Sequence, residues 1–482
     1  MAGVDSSTQS TKVVVVDVDD GTVVASGRAA HTVEGVGGAR ETHPDAWEEA
    51  LRQAVSATGC ADRVSAISIA AQQHGLVVLG GDRRPLRPAI LWNDGRSAAE
   101  CAELERREPD ARAITGNIMM PGFTAPKLLW VARHEPELFR RTACVLLPKD
   151  YVRLRLTGER VSDLSDASGT GWLDVGRREW SEAMLGATGL TRGHMPRLVE
   201  GSSPCGSLST QSAEALGLPR VLVAGGGGDN AASAVGLGVV RPGQAFLSLG
   251  TSGVLFVVSE RFRPNPERAA HAFCHCLPQR WHQMSVMLSA AGTLDWIAQI
   301  VGSTDLPGLV ARAEALGLQR QSPLFLPYLS GERTPHNDPH ARGVFFGLRA
   351  DSGPAELVAA VLEGVALAFA DGLDVLTERG DAVGEINVTG GGARLPYWGR
   401  LIAAALHRPL TYRSGGEVGA ALGAARLALL AAGEAEETVC LAPPVEHMVQ
   451  PDAELAALLD SRRQTFQRLY RDLKTAFVEF SS

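Results

Sequence analysis

The chain has 482 residues, of which 45% are apolar, 21% charged and only 5% aromatic, and its formal net charge is −8. That length exceeds one ordinary core and predicts two large domains with interiors of Ala, Val and Leu. The acidic balance argues against a sequence-independent nucleic-acid or membrane-surface binder, which needs an excess of Lys and Arg, and no apolar run reaches the roughly 20 residues that span a bilayer.

The seven Cys are scattered, odd in number and dilute, which fits a reducing cytoplasm better than a disulfide framework. The N-terminus lacks a basic region followed by an apolar stretch, so no signal peptide is expected. Basic residues are almost all Arg. Lys occurs only at Lys12, Lys127, Lys149 and Lys474, so each one stands out in a chain that favours Arg.

In chain order, a short strand ends at Val4, a polar turn covers 5–11 and a buried strand covers 13–16. Asp19-Asp20-Gly21 reads as a hairpin turn back into a strand over 22–26. A helix follows over Asp45–Ala57 and a strand over 64–70, after which helical and strand patterns alternate as in an α/β fold. A second strand–turn–strand unit occupies 245–258, with Gly250-Thr251-Ser252-Gly253 as its turn. Its likeness to the first suggests two related halves, although short Gly/Ser/Thr turns also coincide by chance. Pro354 opens a helix over 354–376. A strand over 385–388 feeds a glycine-rich turn, and helices are predicted over 396–406, 417–430 and 453–477. The domain boundary is placed near 238–242, giving domains 1–240 and 241–482.

Four predicted turns carry candidate chemistry. In Asp5-Ser6-Ser7-Thr8-Gln9-Ser10-Thr11-Lys12, the backbone and side chains of Ser7, Thr8 and Gln9 can address phosphate oxygens. Asp5 can hold Mg²⁺ through water, and Lys12 adds a point charge. The segment is not a Walker loop, and taken alone it reads more readily as a solvated hairpin turn. Gly250, Thr251 and Ser252 repeat the design, so the two turns can clamp a triphosphate from both sides. Gly225 to Gly228 allow close approach of backbone to ligand before Asp229-Asn230 opens a small-residue helix. Asp229 is then either an N-cap or a general base that takes a hydroxyl proton during phosphoryl transfer. In Thr389-Gly390-Gly391-Gly392-Ala393-Arg394, bare backbone suits adenine and ribose, with Gly391, Gly392 and Arg394 as the nucleotide contacts.

Two polar clusters at predicted strand ends suit a polyol: Gln72-Gln73-His74-Gly75 and Trp92-Asn93-Asp94-Gly95-Arg96. From these, Gln73, His74, Asn93 and Arg96 are candidate sugar contacts. Trp47, after His43, is a candidate wall, although for Trp47 and Trp92 taken singly ordinary packing is the preferred reading. His271, Cys274, His275 and Cys276 lack the paired Cys-x-x-Cys spacing of structural zinc and alternate as a strand instead.

These pieces stand in the order of the FGGY carbohydrate kinases. Gly122-Phe123-Thr124-Ala125-Pro126-Lys127-Leu128-Leu129-Trp130 resembles that family's first signature. Gly343-Val344-Phe345-Phe346-Gly347-Leu348, followed by Glu356-Leu357 and Leu362-Glu363, resembles its second. The likeness covers nearly the whole chain. It implies an α/β fold of two actin-like (ribonuclease-H-like) ATPase domains flanking a central cleft, with the sugar held mainly by the first. It also implies Asp229 as catalytic base, Asp5 supporting metal and phosphates, and position 73 with His74 on the sugar. Asn230 joins the sugar contacts beside Asp229, and Mg²⁺ is expected between Asp5 and Asp229 through water. Longer matches, among them 87–96, 116–122, 147–151 and 329–336, resemble the members that phosphorylate D-xylulose at its 5-hydroxyl with ATP. Another pentulose or polyol, such as ribulose or ribitol, is the alternative substrate, and a sugar-independent actin-like nucleotide switch is the alternative class. Expected partners are the sugar and ATP, with no nucleic acid and no membrane, and a homodimer is left open. Two departures stand out: Gln73 where bacterial members often carry Met, and Ser6-Ser7 in place of a Gly-containing turn.

Overall fold

The computed structural model describes residues 1–380, 382–415 and 419–481, so Glu417, the predicted start of one helix, lies outside the described residues. Two mixed sheets form the body. The first is built from β1 (Ala2–Ser6), β2 (Ser10–Val16), β3 (Val23–Ala30), β4 (Ala66–Ala71), β5 (Pro204–Ser207) and β6 (Leu222–Ala224), in the order β5-β6-β4-β1-β2-β3. Every residue of β4, Ala-Ile-Ser-Ile-Ala-Ala, is buried, as befits a strand between parallel neighbours with both faces covered.

The second sheet contains β7 (Ala245–Leu249), β8 (Gly253–Ser259), β9 (His271–Cys274), β10 (Trp281–Met287), β11 (Ile386–Thr389), β12 (Leu410–Arg413) and β13 (Val445–Val449). Its order is β9-β10-β8-β7-β11-β12-β13. The path β3-β2-β1-β4-β6 recurs as β10-β8-β7-β11-β12. In each case an antiparallel hairpin is extended by parallel strands on the side of its first strand. The repeat is therefore topological and not a coincidence of two turns.

The predicted polar turn over 5–11 is too long. Asp5 and Ser6 lie in β1, paired with Lys12 and Thr11 on one side and with Ala70 and Ala71 of β4 on the other. The ladder to β4 outweighs the turn preference of these small polar residues. Only Ser7 to Gln9 stand outside the strands.

The principal helices are α1 (Asp45–Ala57), α2 (Thr124–His134), α3 (Pro148–Thr157), α4 (Asp229–Leu237), α5 (Pro354–Thr377), α6 (Pro396–Leu406), α7 (Gly419–Ala431) and α8 (Ala453–Ser481). Helix α5 is apolar almost all round and runs through the second core. Helix α8 packs on α5 and α6 and is fixed by a buried Arg462–Glu363 pair, whose guanidinium also donates to the carbonyls of Gln319, Arg320, Ser322 and Pro323. Breaking such a pair from one side costs about 3–5 kcal/mol. Helix α7 comes from the second half of the chain but lies across β1 and β4 of the first sheet and crosses α4. The crossing depends on glycine, since a Cβ at Gly423 would stand 1.7 Å from the Ala232 carbonyl oxygen. Among the described residues no helix is long and apolar enough to cross a membrane.

Candidate active site

The site grows from the C-terminal ends of β1 and β4 and from the glycine run after β6. Gly226 adopts φ +74°, and a Cβ there would stand 2.0 Å from the Ile69 carbonyl oxygen of β4, so this bend accepts only glycine. The bend lets Gly227 and Gly228 rejoin β4 opposite Ala70 and Ala71. Asp229 is thereby delivered beside the end of β1. It is the first residue of α4, the preceding N-cap position is Gly228, and no side chain caps the helix. Asp229 is thus not an N-cap. Its Oδ1 instead accepts from the Asn230 backbone N–H at 2.7 Å and from Asn230 Nδ2 at 2.9 Å.

The two carboxylates strain against their surroundings. Burial pushes Asp229 up to about 6, only partly offset by the bonds from Asn230. Burial and then the charge of Asp229 push Asp5 up to about 7, against the opposing pull of Lys12 and Arg28. Asp5 Oδ1 is buried and has no hydrogen-bond partner. A buried orphan oxygen beside a second reluctant carboxylate suits a hydrated divalent cation, with hard oxygen donors of the kind magnesium takes.

Next to Asp229, the Gln73 side chain packs against Gly228 and its Nε2 donates to the Ser165 carbonyl at 3.2 Å. His74 holds the left-handed region at φ +69°, a strained setting for a side-chain-bearing residue. Three contacts keep it there. Lys127 Nζ donates to the His74 carbonyl at 2.9 Å and also to that of Gly122, and Thr124 Oγ1 donates to the His74 carbonyl at 3.1 Å. Burial, then the Lys127 charge, lowers His74 to about 3, so the imidazole is neutral. Its Nδ1 lies 2.7 Å from the Gly169 carbonyl, which makes Nδ1 the donor and leaves Nε2 an acceptor. The ring touches Phe123 and Phe273, with centroids at 5.0 and 6.0 Å, and His271 stacks on Phe273 at 5.2 Å. Phe273 and His271 belong to β9, so the second half closes one side of this pocket. His271 Nδ1 lies 3.2 Å from Asn117 Oδ1, Cys274 Sγ faces the Val175 carbonyl, and Cys276 Sγ lies 3.4 Å from Ser165 Oγ.

Behind the glycine run sits a buried ionic network, of which Lys149 and Asp150 lie in the matched segment 147–151 and Arg153, Asp163 and Ser165 in no motif. Gly228 N–H donates to Ser165 Oγ at 3.2 Å, and Ser165 Oγ donates to Asp163 at 2.5 Å. Lys149 bridges Asp163 and Asp150, both at 2.7 Å, while Arg153 joins Asp150 to the Gly225 carbonyl. Burial and Arg153 oppose the Lys149 charge, but the surrounding carboxylates raise its pKa overall. The signal for Lys127 and Lys149 was their rarity. Both are fully buried, in a chain that otherwise uses Arg.

Other candidates fall in different places. Thr8 Oγ1 accepts from Trp92 Nε1 at 2.9 Å, linking the first turn to the second polar cluster. Ser7 Oγ donates to the Ser10 carbonyl at 2.9 Å, Gln9 is exposed, and Lys12 stands opposite Asp5. Asn93 is exposed beside Trp92. Trp47 is not a wall of the pocket. It is 1% exposed on the sheet-facing side of α1, among Val4, Val13 and Leu51, because that face of the helix supplies the core. Arg96 is committed elsewhere too. It pairs with Asp94 and Glu41, both at 2.7 Å, and lies over the Trp130 ring at 4.9 Å.

On the facing half, the turn Gly250 to Ser252 is braced by Ala291 N–H to the Gly250 carbonyl at 2.7 Å and Ala290 N–H to the Thr251 carbonyl at 2.9 Å. Gly391 to Arg394 form a 3₁₀ turn after β11, and Gly392 packs on Leu249 immediately before the Gly250 turn. Beside it lies a groove of about 420 Å³ lined by Thr389, Gly390, Arg394, Tyr412, Arg413 and His447, with the Tyr412 and His447 rings stacked at 4.2 Å.

The family model for the N-terminal domain of the FGGY family of carbohydrate kinases matches residues 1–236, and the model for its C-terminal domain matches 245–432. The chain belongs to this family. It is 53% identical over 477 residues to the xylulose kinase of Escherichia coli strain K12, covering 98% of each chain. It is 50% identical over 478 residues to that of Klebsiella pneumoniae, covering 98% of this chain and 99% of the other. Its fold is similar to the crystal structure of a xyloylose kinase from Brucella ovis, with TM-score 0.94, 46% identity and coverage of 98% and 99%. The fold is thus the two-domain, actin-like FGGY kinase fold, and the chain is a sugar kinase.

Proposed function

We propose that the enzyme transfers the γ-phosphoryl group of ATP to the 5-hydroxyl of D-xylulose. The observation that carries the mechanism is the placement of Asp229, raised to about 6, between the Gln73–His74 pocket and the Asp5 hairpin. The names of the relatives at 50–53% identity support the sugar. Residues 1–240 hold the sugar and the first phosphate turn. Residues 241–482 hold the nucleotide.

Asp229 takes the proton from O5 as the O5–Pγ bond forms and the bond from Pγ to the β-phosphate oxygen breaks, releasing ADP. Gln73 and the neutral His74 orient the sugar, with His74 Nε2 accepting from a hydroxyl. Ser7, Thr8 and Gln9 on one side and Gly250, Thr251 and Ser252 on the other hold the triphosphate, and Gly391, Gly392 and Arg394 hold the adenosine end. Asp5 and Asp229 would hold Mg²⁺, which when bound would supply charge neutralisation for the phosphates. The reaction is set in the cytoplasm, and a homodimer is the assembly that light scattering would test.

A coupled ADP-release assay over D-xylulose, ribulose, ribitol, glycerol and gluconate tests the reading. D-xylulose should give the highest kcat/KM by at least about tenfold. Preference for another sugar overturns the substrate, and sugar-independent ATP turnover overturns the kinase reading.

A further inference from the structure

The Gly331–Thr334 segment of the second half is held rigidly against β10. Thr334 N–H donates to the Val286 carbonyl, Val286 N–H donates to Thr334 Oγ1, both at 3.2 Å, and Thr334 Oγ1 donates to the Ala269 carbonyl at 2.8 Å. Glu332 Oε1 accepts from Leu288 N–H at 3.0 Å and from Arg333 N–H at 2.8 Å. From this anchored backbone the Arg333 side chain reaches the first half. Its Nη2 lies 3.8 Å from the point where a side chain on Gly122 would begin. Gly122 is the residue whose carbonyl, with that of His74, receives the Lys127 ammonium.

Arg333 is poorly compensated where it stands. Among the described residues no carboxylate or carbonyl lies within bonding distance of its guanidinium. The carboxyl nearest in sequence, Glu332, is itself buried and raised to about 8 by that burial. The Arg333 charge is among the causes that lower His74, Lys127 and His271. Arg333 is half-buried, so its guanidinium keeps contact with solvent while its donors find no protein acceptor, and a ligand that supplies acceptors there completes them.

A sugar that presents one end to Asp229 and its middle to His74 places its far end at Arg333. In an open-chain ketose that end carries two adjacent oxygens, the C1 hydroxyl and the C2 carbonyl. The C2 carbonyl is an acceptor with in-plane lone pairs and no O–H of its own, so this pair matches the planar donor fork of arginine better than the two vicinal hydroxyls of the corresponding polyol. We propose that Arg333, supplied by the nucleotide-binding half, is a specificity-determining sugar contact that reads the C1–C2 ketol end of the substrate. Because the residue comes from the opposite half, an occupied sugar pocket also bridges the two halves. The inference rests on the D-xylulose reading.

The experiment compares wild type with Arg333→Met and Arg333→Lys on D-xylulose and on xylitol, which has the same length but no carbonyl. In wild type, D-xylulose turnover confirms the underlying reading, and its absence defeats that reading before Arg333 is tested. In Arg333→Met, KM for D-xylulose should rise at least about tenfold with KM for ATP within about twofold, and the preference for D-xylulose over xylitol should shrink by the same factor. Arg333→Lys should fall between. Thermal melting should stay level in Arg333→Met, since the guanidinium makes no hydrogen bond or ion pair to the protein among the described residues. An unchanged KM for D-xylulose, an equal loss on both sugars, or a selective loss of gluconate turnover overturns the proposal. If Arg333→Met fails to fold, Arg333→Lys decides it, and full wild-type preference for the ketose in that variant is the overturning result.

Discussion

Hairpin β1–β2 pairs Asp5 with Lys12 and Ser6 with Thr11, whereas its topological counterpart β7–β8 pairs Ser248 with Val254 and Leu249 with Gly253. Each hairpin is flanked on its first strand by a parallel neighbour, β4 in one case and β11 in the other. The positions are equivalent and the chemistry is not. The first hairpin sets a reluctant carboxylate beside a cation and next to Asp229. The second offers only backbone and hydroxyl donors, braced from Ala290 and Ala291. On the proposed mechanism, charge management and proton transfer would belong to the first hairpin, and phosphate binding by neutral donors to the second.

The sharpest test of that division is Asp229→Asn. We expect kcat to fall about 10³-fold with KM for the sugar changed little, because a general base contributes about 10²–10⁴. Near-wild-type turnover in a folded variant would remove Asp229 as the base. In the wild type, kcat/KM should fall as pH drops through about 6, because Asp229 must be ionised to accept the proton and burial has raised it to that value. A pH profile flat down to 5 would break the assignment.

Asp5→Asn should lower kcat about 10²-fold and yet stabilise the fold. The sign follows from linkage. The folded-state pKa of Asp5, about 7, lies above its usual value of 3.8, so the native state binds more protons than the unfolded chain between those values and loses stability as pH rises through them. Removing the charge should gain about 1 kcal/mol at pH 7.5 after discounting for solvent screening, and nothing below pH 4, as read by urea denaturation. Lys127→Met should raise KM for the sugar about tenfold by releasing His74 from its strained backbone, with KM for ATP unmoved. The smallest effect belongs to the neutral hairpin. Thr251→Ala should raise KM for ATP about threefold, roughly one hydrogen bond, without shifting the pH profile. A shift would show that the second hairpin takes part in the charge chemistry after all.

Much of this arrangement was legible from residues alone, where local chemistry and local geometry coincide. Both hairpin turns, the glycine run before Asp229 and the Gly390 turn advertise themselves through small residues that few other structures need. The extent of the first turn was not legible, because Asp5 and Ser6 have turn chemistry and only the ladder to Ala70 and Ala71 keeps them extended. Trp47 and Arg96 misled for a related reason. Each has a side chain suited to a sugar, and each is claimed by neighbours distant in sequence, Val4 and Val13 for one and Glu41 for the other. Arg333 lay hidden because it comes beside Gly122 only when the two halves come together, and no spacing along the chain records that meeting. Lys127 and Lys149 were half visible: their rarity marked them, and only the fold shows that one fixes His74 and the other anchors the network behind Gly228.

Helix α7 bears on how such enzymes can be recombined. It is encoded late in the chain, yet Ala421, Leu422, Ala425, Ala428 and Leu429 cover the first sheet against Val14, Val16 and Ala66. A gene split near the middle would leave the first half with an exposed apolar sheet face. A chimaera that takes its second half from a relative inherits that relative's lid on a core it did not evolve with, so productive crossovers should exchange α7 together with β1, β2 and β4.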